Sequence, residues 1–113
     1  MKNTKKKKKN YKNTWGTPLG QDCISLNSTL CGWLAPRLEF LARYTNGVPM
    51  GYKDHKRWTK DLKKQAKRLE VYYNYYHGKN EVADKKLHNF SKIHDDADKA
   101  MMWVAKNFQN LWD

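Results

Sequence analysis

The stretch DHKRWTKDLKKQAKRLEVYYNYY, residues 54–76, decides the reading of the fold. Along it His55, Trp58, Leu62, Gln65, Leu69, Tyr72 and Tyr76 recur three and four residues apart. That spacing lines up one face of an α-helix. Asp54 is a good N-cap residue, and His77-Gly78 is a stop. The stretch therefore predicts a helix over 54–76.

Toward the C-terminus the same spacing returns at Ala83, Leu87, Phe90, His94, Ala97, Met101, Val104, Phe108 and Leu111. It predicts a helix over 81–112, about 45 Å long. Folding the chain at 77–80 brings the two stripes together as an antiparallel hairpin, with Tyr76 opposite Ala83, Tyr72 opposite Leu87, Leu69 opposite Phe90, Leu62 opposite Ala97 and Trp58 opposite Met101. This register also sets Gln65 opposite His94. One reading is a buried hydrogen-bonded pair that fixes register; the other is a pH-sensitive or ligand-contacting histidine.

Toward the N-terminus, Leu30, Leu34, Leu38 and Leu41 mark a first helix over 26–45. Pro36 predicts a kink or restart within it, and Asn46-Gly47 followed by Pro49 ends it. Trp15 to Gln21 reads as a Gly/Pro-punctuated loop pinned to the body by Trp15 and Leu19. With 113 residues there is room for a single domain, 15–113. The expected fold is all-α: a kinked first helix packed on a long antiparallel hairpin. Residues 1–14, with lysines at 2, 5–9 and 12, have too little apolar surface to offset their ordering entropy and read as a disordered tail.

Charge is distributed unevenly. The net charge is +12, from 23 Lys and Arg against 11 Asp and Glu. Two stretches carry all of the excess: the tail, and the segment 53–68. Stepping 100° per residue, Lys53, Lys56, Arg57, Lys60, Lys63, Lys64, Lys67 and Arg68 fall within an arc of about 140°, nearly opposite the apolar seam. Solvent-facing helix surfaces normally mix the two signs, because like charges repel. This face, together with Lys5, Lys6, Lys7, Lys8 and Lys9 of the tail, suits the phosphate backbone of DNA or RNA. Helix-turn-helix spacing, zinc ligands and aromatic RNA-binding signatures are absent, so the charges support non-specific binding only. An acidic protein would meet the same face equally well, and a merely solvated helix in a basic proteome is the bland alternative.

The remaining chemistry points away from an enzyme. His55, His77, His88 and His94 do not assemble a ligand set. Asp84/His88 and His94/Asp98 lie on different helix faces, and the His94-Asp95 dipeptide lacks the further ligands that a metal-dependent phosphohydrolase needs. No cofactor, metal or catalytic residue is expected. Cys23 and Cys31 read as reduced, buried thiols of a cytoplasmic protein. No apolar run approaches the length of a membrane span, and the lysine-rich start leads into no hydrophobic signal core. Trp33, Trp58, Trp103 and Trp112 read as core anchors. Tyr72 and Tyr76 are expected to fill the seam, with Tyr73 turned toward the first helix.

Several short motifs together resemble a known group. Trp15, Leu34-Ala35-Pro36-Arg37-Leu38 with Phe40, and Asn46-Gly47-Val48-Pro49 form one half of the pattern. Trp58 and Phe108-Gln109-Asn110-Leu111-Trp112 form the other. Over residues 15–112 the layout is similar to small uncharacterised accessory proteins of tailed bacteriophages. The resemblance implies no catalytic residue. It implies a setting in the infected host's cytoplasm and, as an alternative activity, binding or inhibition of a host factor. Finally, Met101, Val104, Phe108, Leu111 and Trp112 exceed what one short helix can cover, so a homodimer burying that end is expected.

Overall fold

The computed structural model describes residues 14–77 and 90–112, and every described element is helical. In order these are α1 (Pro18–Cys23), α2 (Leu26–Tyr44), α3 (His55–Tyr76), α4 (Phe90–Lys106) and a 3₁₀ turn (Phe108–Asn110). The lysines of the tail, the turn of the hairpin, and Ala83, Asp84, Leu87 and His88 lie outside the described residues. Helix α3 is central and packs against both α2 and α4.

The expected loop at 15–21 is mostly a helix. Thr17 caps it, its hydroxyl accepting from the Gly20 amide at 3.1 Å, and Pro18 occupies the first turn. Proline there is already set near helical φ and lacks an N–H that would have been orphaned. Neither Trp15 nor Leu19 pins this segment; both are exposed. Ser25, with φ 53° and ψ 53°, turns the chain between α1 and α2.

Helix α2 runs unbroken through Pro36, so the expected restart does not occur. Proline removes the bond to Gly32 and crowds the turn before it. Just beyond it, the Arg37 guanidinium donates to the Trp33 carbonyl at 2.8 Å and covers the Trp33 ring at 4.1 Å. The buried face of α2 is Ser28, Cys31, Ala35, Leu38 and Ala42, mostly small residues that let α2 lie close to α3. Leu34 and Leu41 pack at its margin, while Leu30 points outward.

Helix α3 matches the sequence stripe closely. Trp58, Leu62, Gln65, Leu69 and Tyr72 are buried, joined by Ala66; His55 and Tyr76, at the ends, are exposed. Asp54 caps it, accepting from the Arg57 amide at 2.8 Å. In α4 the buried residues are Ile93, Ala97 and Ala100, so the seam is rotated from the expected one. Phe90 is exposed and His94 only half-buried.

The hairpin register differs as well. Trp58 stacks on Trp103 with ring centroids 5.5 Å apart, and Tyr72 meets His94 edge-on at 5.3 Å; the expected partners Ala83 and Leu87 lie outside the described residues. Aromatic contacts, unlike aliphatic ones, gain from specific offset and edge geometries, and these set the pairing here. The C-terminal helix also stops early. Asn107 Nδ2 donates to the Trp103 carbonyl at 3.0 Å, and the 3₁₀ turn brings Leu111 back onto the core. Met101 and Val104 pack against that same core, whereas Phe108 and Trp112 are exposed. Among the described residues no helix is long and apolar enough to cross a membrane.

Candidate nucleic-acid interface

The loop between α2 and α3 is fastened by side chains that the chain pattern alone does not connect. His55 Nε2 lies 2.8 Å from the Thr45 carbonyl, tying the first turn of α3 to the end of α2. Trp103 Nε1 donates to the Tyr52 hydroxyl at 3.1 Å, and that hydroxyl donates to Asp61 Oδ2 at 2.7 Å. The Tyr52 ring meets Trp58 edge-on at 4.9 Å. One indole, one phenol and one carboxylate thus link α4, the loop and α3.

This arrangement bears on ion pairing along the outer face of α3. The segment 53–68 has only two acids. Asp54 is spent on the helix cap and Asp61 on Tyr52. Lys53, Lys56, Arg57, Lys60, Lys63, Lys64 and Lys67 are all exposed. Among the described residues, only Lys67 of these seven meets a carboxylate within ion-pair distance, Glu70 at 3.4 Å. That pair is solvent-exposed and contributes little. A surface hollow of about 700 Å³ between residues 51–54 and the first turns of α3 is lined by Lys53, Lys56, Arg57, Lys60 and Lys64 around Asp61. Such a surface can attract and hold anions over its length, about 21 Å from Lys53 to Lys67.

Arg68 is differently placed. Half-buried at the junction with α4, it donates to Gln65 Oε1 at 3.1 Å. Its charge, behind the hydrogen bond and charge of Lys92, helps hold the Asp96 carboxyl below the usual carboxylate range. Gln65 therefore does not pair with His94, as the expected register required. His94 instead lies 2.5 Å from the Tyr76 hydroxyl, with Phe90 at 4.2 Å between ring centroids. The rotation of α4 separates the two polar residues, and each takes a nearer partner. No buried side-chain polar atom among the described residues lacks a partner.

The tyrosine cluster serves packing. Tyr72 is buried and accepts from Asn27 Nδ2 at 2.9 Å; Tyr73 turns toward α2, against Gly32. One pairing escaped the sequence reading: the buried Ser28 hydroxyl lies 2.7 Å from His77 Nε2. The same hydroxyl donates to the Ser25 carbonyl at 3.1 Å, and the imidazole stacks on Tyr73 at 4.4 Å. The pair clamps the start of α2 to the end of α3. No spacing rule relates positions 28 and 77, so only the fold brings them together. Cys31 is buried and its thiol is pushed up to about 11 by burial; Cys23, at the end of α1, is exposed, against expectation. Trp33 and Trp112 are also exposed rather than core anchors. No cluster of three or more His, Cys, Asp or Glu able to hold a metal occurs among the described residues.

Burial and the Asp61 carboxylate raise the Tyr52 hydroxyl from 10 to about 12. A raised folded value means stability that is present below pH 10 and is lost as pH rises through 12. Between those pH values the native protein should lose on the order of 1–2 kcal/mol through this group, after allowance for solvent screening. Urea unfolding of Tyr52→Phe should be flatter over this window than that of the unaltered chain; identical slopes would remove Tyr52 from the account.

Comparison with known protein families, with curated proteins and with solved structures yields no match.

Proposed function

We propose that the chain binds nucleic acid without sequence preference, laying the outer face of α3 along the phosphate backbone. The supporting observation is the pairing state of that face: seven exposed cations over about four turns, of which only Lys67 is ion-paired among the described residues. A strip of about 21 Å spans roughly six phosphates of one strand at 3.4 Å each. The lysine tail adds a second basic element on this reading. An aromatic stacking platform does not enter it, because the tyrosines near α3 are engaged by neighbouring helices.

Neutralising about six phosphates predicts a log–log slope of affinity against salt of about −5. Reversing Lys60, Lys63 and Lys67 to glutamate should weaken duplex binding by at least a hundredfold at low salt and flatten the slope by about three. Fluorescence anisotropy with a labelled duplex of random sequence measures both. An unchanged slope would remove α3 as the contact surface. Salt-insensitive, weak binding together with a nuclease-resistant acidic protein partner would favour the host-factor reading instead.

A further inference from the structure

Helix α2 carries a second apolar stripe, facing away from α3. Leu26, Leu30, Trp33, Arg37, Phe40 and Tyr44 recur at helical spacing about 150° from the buried face. All six are exposed, Trp33 by 55% and Phe40 by 64%. Arg37 does not make the stripe polar: its guanidinium is stacked over the Trp33 ring and bonded to the Trp33 carbonyl. The Phe40 and Tyr44 rings lie against each other at 4.6 Å. Nothing among the described residues covers this face, and monomers rarely leave so continuous a patch in water.

We infer that the occupant is a second copy of the chain, its α2 packed antiparallel on this one. A two-fold contact needs one patch that is complementary to itself. The stripe has that property about its midpoint at residue 35. Leu26 mirrors Tyr44, Leu30 mirrors Phe40, and Trp33 mirrors Arg37, so antiparallel pairing sets a leucine against an aromatic ring at both ends. At the centre each Trp33 gains the partner's Arg37, a cation over a ring. With aromatics carrying roughly 150–250 Å² apiece, the half-exposed stripe offers on the order of 600 Å² per copy. The pair would remove about 1,200 Å² from water, the lower bound of a specific interface. Charge permits the approach. The face contains Arg37 alone, with Glu39 and Arg43 paired at its flank at 2.9 Å. The basic arc belongs to α3, and both copies keep it free in the dimer. This contact is distinct from the C-terminal end, where Met101, Val104 and Leu111 are partly buried against the core and Phe108 and Trp112 are exposed.

Sedimentation equilibrium of the full chain at tens of micromolar should give twice the 13.5 kDa chain mass. Leu30→Lys and Phe40→Lys should each raise the dissociation constant at least tenfold with helical circular dichroism unchanged. Met102→Lys, at an exposed apolar residue of α4, should leave it unaltered. In a Cys23→Ser background, Leu30→Cys and Phe40→Cys together should oxidise to a covalent dimer, and neither should do so alone. A monomer, a larger assembly, or a dimer indifferent to both lysine substitutions overturns the inference. Equal loss with Met102→Lys does so as well.

Discussion

Trp58→Ala is expected to cost about 3–5 kcal/mol, at the top of the range for truncating a core side chain. Trp58 is 1% exposed and stands where three elements meet. Its ring stacks on Trp103 of α4 and receives the edge of Tyr52 from the loop. Truncation leaves a cavity that its rigid neighbours fill only in part, so lost transfer energy and cavity cost add. It also removes the wall against which Tyr52 is held, and with it the hydrogen bond that engages Asp61. A domain of this size has a total stability of roughly 5–15 kcal/mol. The variant should therefore be largely unfolded at 37 °C. Denaturant melts followed by circular dichroism read this directly. A loss under 1 kcal/mol would mean that the Tyr52–Trp58–Trp103 group does not close the core.

Gly32→Val should cost about 2–3 kcal/mol by the opposite route, overpacking. Gly32 lies beneath the Tyr73 ring, and a Cβ added there would collide with three of the ring carbons. The ring cannot simply swing aside, because it is stacked on His77, which in turn reaches Ser28. Gly32→Ala should cost less, since alanine recovers about 1 kcal/mol of helix propensity. Truncating Tyr73 to alanine removes the obstruction, so the double variant should be less destabilised than the two single losses added together. The coupling should be 1 kcal/mol or more. Additive losses would show that α2 and α3 do not approach through this glycine.

How much of this was legible depends on the range of the interaction concerned. The buried face of α3 follows from its 3,4 spacing, and Asp54 as its cap follows from residue type. Both are properties of neighbours along the chain. The same holds for the exposure of the cations on the opposite arc. The helix at 18–23 was missed: the glycines around it read as loop, although Thr17-Pro18 is a cap followed by a first-turn proline. The faces of α2 were confused because both are apolar: a leucine stripe and an alanine–cysteine face compete, and small residues win where backbones come close. Periodicity reports amphipathicity and is silent when a helix is apolar on two sides.

The register of α4 was not legible, because antiparallel helices can slide by a turn at little local cost. Aromatic stacking between Trp58 and Trp103 and the edge contact of Tyr72 with His94 distinguish the alternatives, and these are long-range contacts. The separation of Gln65 from His94 and the meeting of Ser28 with His77 follow from the same cause.

By itself the sequence determined an all-helical chain whose most regular helix is apolar inside and basic outside, because helical periodicity and charge are local. Only the tertiary structure decided the partner of Asp61, the acid within that helix's basic segment that is not its cap: it is held by Tyr52. A carboxylate's partner is chosen by what folding brings within about 3 Å of it. For Asp61 that partner is a hydroxyl positioned by an indole from α4.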